Sequence, residues 1–250
     1  MDGSFVAITD ISDVMNTIGA TTDYRLIGGV AVLLHIQRLG LDLPLRATGD
    51  ADIGVPPHLL KDQALIPAIE SIGYKKVAGN RWERRLDDRR VAAVDLLVPA
   101  YTSRPRHTRR VGNVVTTEVP GLAVSLRRSG IAVNTQLRLL EGEVRETTVM
   151  LPDALATLIL KARARTVRNE ARDAADLWRC LEIAAADGVT PETVDSEPGA
   201  DDLRTLLNRE LGPDGTSLDT ITQGLQGDAA ARMRTRIRSL LADVIGSVKT

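Results

Sequence analysis

A chain of 250 residues with 43% hydrophobic side chains is long enough to bury a substantial core, so disorder is not expected. Its formal charge of -1 excludes a general polycation that grips nucleic acid over its whole surface, and any such contact has to be local. The longest apolar runs, Ala31 to Ile36 and Leu155 to Leu160, fall well short of the ~20 residues that span a bilayer. No leader pattern is read at the start, and the single Cys180 cannot form an internal disulfide, so a cytoplasmic protein with a buried thiol is expected.

In chain order, Arg25-Leu26-Ile27 reads as a strand that ends at Gly28-Gly29, and a helix is predicted from Val30 to about Leu39. An extended segment, Arg46 to Val55, precedes Pro56-Pro57, after which His58 to Ile72 has helical spacing closed by Gly73. Strand-like runs follow at Tyr74 to Val77, Arg81 to Leu86 and Arg90 to Val98, the last mostly apolar as in a strand buried on both faces. Further β-like runs are predicted at Asn113 to Val119, Leu122 to Leu126 and Gln136 to Leu140, with the sheet continuing to about Thr148. From Pro152 the pattern is helical, with helices at about 152 to 168 and 170 to 186, a loop from Asp187 to Glu197, and helices at Asp201 to Leu211, Ser217 to Leu225 and Ala229 to Val248. The expected architecture is an α/β (α+β) domain over residues 1-150, a mixed sheet flanked by helices, followed by a helical domain over 151-250.

The chemistry concentrates in Gly28-Gly29, Thr48-Gly49-Asp50-Ala51-Asp52 and Asp95. Carboxylates at i and i+2 of a strand project from one face and repel each other, which a divalent ion relieves. Hard oxygen ligands of this kind suit Mg2+ or Mn2+, which also bind substrate phosphates. Asp95, inside an apolar strand, is costly to bury as an unpaired ion and is expected to meet a cation, a hydrogen-bond network or water. Three such groups converging on two ions about 3.5 to 4 Å apart would activate an attacking oxygen and stabilise a leaving pyrophosphate. An isolated Asp pair is more often a solvated edge, and Gly-Gly is common in turns; the combination with a helix whose N-terminus can face phosphate is what points to a site.

This set, Gly28-Gly29 with Thr48-x-Asp50-x-Asp52 and Asp95, resembles the signature of the DNA polymerase β-like nucleotidyltransferase superfamily. More narrowly, Gly28-Gly29-Val30-Ala31-Val32-Leu33-Leu34-His35, Arg46, and Leu160-Lys161 followed by Arg172-Asp173-Ala174-Ala175-Asp176-Leu177 look like the AbiE-type toxin nucleotidyltransferases. The resemblance covers about residues 24 to 180. It implies a polymerase β-like fold and transfer of a nucleoside monophosphate from an NTP to an acceptor, with tRNA 3' ends as the acceptor and a cognate antitoxin as partner. It also implies that Gly28 and Gly29 let the backbone approach the triphosphate, that Thr48 bonds a phosphate and that Arg46 meets one. Asp50, Asp52 and Asp95 would hold the ions, with Asp95 as the base. Lys161 would neutralise a phosphate oxygen, with Asp173 and Asp176 orienting the site. Plain readings stand beside these: a solvated lysine for Lys161, surface ion pairs with Arg172 or Arg179 for Asp173 and Asp176, and helix cover for Arg46. Ala51 and Gly49 depart from the bulkier residues expected around the Asp pair.

The basic run Arg104-Pro105-Arg106-His107-Thr108-Arg109-Arg110 reads as a loop, either solvated or an RNA-backbone contact through Arg104, Arg106, Arg109 and Arg110. With 2% aromatic residues a base-stacking platform is not evident, and Trp82 and Trp178 suit a core. His35 is expected to pack or hydrogen-bond. Two alternatives remain: adenylylation of a small molecule, as by antibiotic nucleotidyltransferases, and a catalytically silent binding protein of the same fold.

Overall fold

The computed structural model describes residues 2-46, 48-61, 64-102, 104-168 and 170-246. The chain divides into two compact units, Met1–Leu33 with Pro44–Asp153, and Leu34–Leu43 with Ala154–Thr250. It is a mixed α/β protein, and no helix among the described residues is long and apolar enough to cross a membrane.

In the first unit, helix α1 (Asp2–Thr17) buries Val6, Ile8, Ile11, Val14 and Met15. It lies against the central strand of the sheet at a separation only glycine allows: a Cβ on Gly3 would stand 2.1 Å from the Val91 carbonyl oxygen. Strand β1 (Arg25–Ile27) runs directly into helix α2 (Gly28–Arg38), and β1 pairs antiparallel with β2 (Ala51–Gly54). Two short helices, α3 (Pro57–Lys61) and α4 (Leu65–Ser71), occupy the stretch expected to be one helix; residues 62 and 63 between them, like residue 47 in the extended segment, lie outside the described residues. Strands β3 (Lys75–Ala78), β4 (Arg81–Arg85) and β5 (Val91–Pro99) follow, giving the order β1-β2-β5-β4-β3 with β2 and β5 parallel. Ala92, Val94, Leu96 and Val98 of β5 are buried, and side chains of the larger kinds each contribute about 1.5-3 kcal/mol on leaving water.

Beside Asp95 the central strand changes neighbour. β4 accompanies it from Val91 to Asp95, the Leu96 amide donates to the Asn80 carbonyl at the turn, and from Leu97 onward β7 (Val114–Val119) runs parallel to it. β7 also pairs with β6 (Arg109–Val111), so the end of the basic run is a strand rather than loop. Leu122 to Leu126, expected as a strand, lies in helix α5 (Leu122–Arg127), preceded by Gly121 at φ +84°. The left-handed turn reverses the chain and seats Leu122 against Gly54, where a Cβ would be 2.4 Å from its methyl carbon. Strands β8 (Ile131–Arg138) and β9 (Val144–Leu151) form a separate two-stranded sheet rather than an extension of the main one, and β9 packs on α1 and β1.

The second unit is helical: α6 (Ala154–Ala164), α7 (Ala171–Ala186), α8 (Pro191–Asp195), α9 (Ala200–Leu211), α10 (Thr216–Thr222) and α11 (Asp228–Ile245). Helix α6 is buried along nearly its whole length and α7 packs against α6, α10 and α11. The segment expected as loop contains α8, started by a Thr190 capping box with Pro191 in the first turn. Residues 247 and 248, at the end of the last expected helix, lie outside the described residues.

Candidate functional site

Strand register brings the acidic residues of the first unit together. Asp52 stands beside Asp95 in the parallel β2–β5 pair, and Asp50 precedes β2 on a bend, so only one member of the expected i, i+2 strand pair is on the strand itself. Arg81, across from Asp95 in the antiparallel β4–β5 pair, places its guanidinium between the carboxylates. Its Nη1 donates to Asp50 Oδ2 at 3.2 Å and to Asp95 Oδ2 at 3.5 Å, while Nε donates to Glu83 Oε1 at 2.7 Å. The side chains of Asp50 and Asp95 are 34% and 15% exposed, so the cluster is reachable from solvent. Burial pushes the Asp95 carboxyl above the usual carboxylate range; Arg81 opposes this, and the charges of Asp50 and Glu83 add to it.

The glycines frame this cluster. Gly28 begins α2 at φ +75°, and a Cβ there would stand 1.9 Å from Asp52 Oδ2, so this carboxylate lies against bare backbone. At Gly29 a Cβ would be 2.8 Å from Arg46 Nη2 and 3.4 Å from Thr48 Cβ. Thr48 Oγ1 donates to Asp50 Oδ1 at 3.3 Å, and its carbonyl accepts from Ser4 Oγ at 3.2 Å. Gly28, Gly29, Arg46, Thr48, Asp50, Asp52 and Asp95 are therefore neighbours at the start of one helix and on adjoining strands. Among the described residues no group of three or more His, Cys, Asp or Glu is already gathered around a metal position. The donor chemistry nonetheless fits a divalent ion: Asp50 and Asp95 already direct one oxygen each at a shared cation, the guanidinium of Arg81.

Arg81 and Glu83 are absent from the residues singled out in the sequence, yet a signal for them exists. Asp87-Asp88-Arg89 is a turn, and counting outward equally from Asp88 along the two predicted strands sets Arg81 opposite Asp95.

Lys161, Asp173 and Asp176 belong to the second unit. Lys161 Nζ donates to Asp176 Oδ2 at 2.9 Å, with side chains 8% and 2% exposed, so the solvated-lysine reading is replaced by a buried pair. Asp176 also accepts from Arg179 Nη1 at 3.0 Å. Asp173 pairs with Arg168, whereas Arg172 pairs with Glu170. Cys180, buried beside this group, has its thiol pushed up to about 12 by burial. His35 is buried and hydrogen-bonds through Nε2 with Thr157 Oγ1 at 3.2 Å.

The basic run divides. Arg104, Arg106 and Arg110 are exposed, but Arg109 donates to Glu118 Oε1 at 2.9 Å and to the Pro99 carbonyl, which gives it a structural task at the β6–β7 pair. Trp82 is buried in the core with Lys76 Nζ 5.9 Å from its ring centroid, and Trp178 is buried with Nε1 donating to Glu182. No protein-family model matches the chain, and no curated protein matches it.

Proposed function

We propose that the chain is a metal-dependent nucleotidyltransferase of the polymerase β-like type, transferring a nucleoside monophosphate from an NTP to the 3' end of tRNA as the toxin of a toxin-antitoxin pair. The observation that carries the reading is the convergence of Asp50 and Asp95 on one cation, with Asp52 alongside and the Gly28-Gly29 start of α2 directly behind. Mg2+ or Mn2+ held by Asp50, Asp52 and Asp95 would offset the charge that builds on the phosphates during transfer. Gly28 and Gly29 set bare backbone at a helix N-terminus directly against Asp52 and Arg46, and Arg46 and Thr48 would supply donors to a triphosphate there. The acceptor hydroxyl oxygen attacks the α-phosphorus, the bond to the bridging oxygen breaks, and pyrophosphate departs with the electron pair. Asp95 would take the hydroxyl proton. The exposed Arg104, Arg106 and Arg110 favour a polyanionic acceptor over a polycationic drug.

The test is incubation of purified protein with total tRNA and each labelled NTP, in Mg2+ or EDTA, beside Asp50→Ala. Metal-dependent label in tRNA, lost at least ~100-fold in Asp50→Ala, is the expected result. NTP binding without label in any RNA would move the acceptor to a small molecule or protein. An inability to bind NTP at all would leave a catalytically silent fold.

A further inference from the structure

The carboxylate cluster of the first unit already contains a cation, and it comes from the chain itself. We propose that Arg81 is a built-in counterion that occupies the divalent-ion position in the resting protein and has to be displaced for metal to bind, so that it sets the metal affinity of the site. The inference rests on the reading of Asp50, Asp52 and Asp95 as metal ligands.

Three features of the geometry carry it. The first is competition for the same atoms: Nη1 of Arg81 contacts the Oδ2 oxygens of both Asp50 and Asp95, the oxygens a bridging ion would take. The second is unequal attachment. The contacts to Asp50 and Asp95, at 3.2 and 3.5 Å, are longer than the ~2.7-2.9 Å of a strong charge-assisted bond, whereas the 2.7 Å contact to Glu83 falls within that range. Glu83 is two residues along the same strand, so it keeps hold of Nε after Nη1 has let go, and the 37% exposure of the Arg81 side chain leaves the guanidinium room to turn outward. The third is charge. Asp50, Asp95 and Glu83 all contact the single guanidinium of Arg81, and Asp52 lies beside Asp95, so one positive charge answers several carboxylates and negative charge is left for a divalent ion to offset.

Arg81 therefore does two opposed things. Without metal it relieves the repulsion between Asp50 and Asp95 and keeps the strands in register; with metal its charge works against the ion. Removing a positive charge within a few ångströms of a carboxylate typically shifts its proton affinity by 1-3 pKa units, and a competing dication should gain roughly tenfold or more.

The experiment is Mn2+ titration of the full chain, followed by the electron paramagnetic resonance signal of free Mn2+, for the parent protein, Arg81→Gln, Arg81→Lys and Asp50→Asn. Arg81→Gln should bind Mn2+ about tenfold or more tightly than the parent, with Arg81→Lys, which keeps the charge but loses the Nε link to Glu83, in between. In EDTA Arg81→Gln should melt below the parent, and Mn2+ should raise its melting temperature by more than it raises the parent's. Equal or weaker Mn2+ binding in Arg81→Gln, with binding lost in Asp50→Asn, would overturn the inference and leave the metal site standing. If Arg81→Gln does not fold, Arg81→Lys decides alone, and binding no tighter than the parent's overturns the inference. Indifference of Mn2+ binding to Asp50→Asn, or no binding by any of the chains, would remove the metal reading and the inference with it.

Discussion

Each unit holds a cluster of aspartates, and the two clusters are neutralised in opposite ways. In the first unit Asp50, Asp95 and Glu83 share the single guanidinium of Arg81 at the end of a sheet, partly open to solvent. In the second, Asp176 alone lies between Lys161 and Arg179 in a packed helical interior, and Glu210 accepts from Arg165, Arg209 and Ser217. The first cluster is partly exposed and can be reached by an ion; the second is closed to solvent. Identical residue types thus serve different ends according to burial and pairing. A shielded, fully bonded carboxylate fixes structure, and an under-neutralised accessible one is available for a ligand.

The contrast is broken most forcefully from the closed side. Asp176→Ala removes the buried carboxylate that Lys161 is paired with and one acceptor of Arg179, and it should cost about 3-5 kcal/mol, read as a lower urea midpoint. If its midpoint stays within ~0.5 kcal/mol of the parent's, the buried pairs are not structural. On the open side, Gly28→Ala forces a left-handed residue to carry a Cβ into the Asp52 carboxylate, and about 1-3 kcal/mol of strain should accompany a loss of NTP-dependent transfer. Normal stability and transfer in that variant would mean the Gly28–Asp52 approach is incidental.

The smallest effect sharpens the comparison by pH. Burial works against ionisation of Glu210, but bonds from Ser217, Arg209 and Arg165 outweigh it and hold the carboxyl below its ordinary value of 4.5. The ionised form therefore favours the folded state: its contribution is complete above about pH 4.5 and disappears as pH falls through the lower folded value. Asp95 has the opposite sign, because its carboxyl is raised in the fold and protonation relieves rather than disrupts its surroundings. Acid melts of the parent and Glu210→Gln should diverge above pH 4.5 and converge below it; parallel curves would refute the assignment.

Much of the architecture was legible from periodicity. The apolar stretch around Asp95, the Gly28-Gly29 break and the 3- and 4-residue spacing after Pro152 correspond to β5, the start of α2, and α6 with α7. Helix α1 left little trace, because Asp2, Ser4, Thr9 and Ser12 are interspersed among its buried apolar residues and its helicity depends on packing against the sheet. Leu122 to Leu126 misleads because a helix of six residues and a short apolar strand look alike without their tertiary partner, here Gly54. At the site, the acidic residues could be read directly, whereas Arg81 emerged only from strand register. Lys161 could be picked out, but its burial against Asp176 is a matter of how α6 and α7 pack.

The change of neighbour beside Asp95 has a consequence for how such a site can be altered. Arg81 arrives on the β3–β4 hairpin, whose outer strand β3 is the sheet's edge, while Asp95 is on the central strand and Asp52 on β2 at its other side. Two different ladders therefore place the parts of the site: β4–β5 sets Arg81 opposite Asp95, and β2–β5 sets Asp52 beside it. A change of charge at position 81 therefore alters the cluster through one ladder and leaves the register of Asp52 and Asp95 to the other.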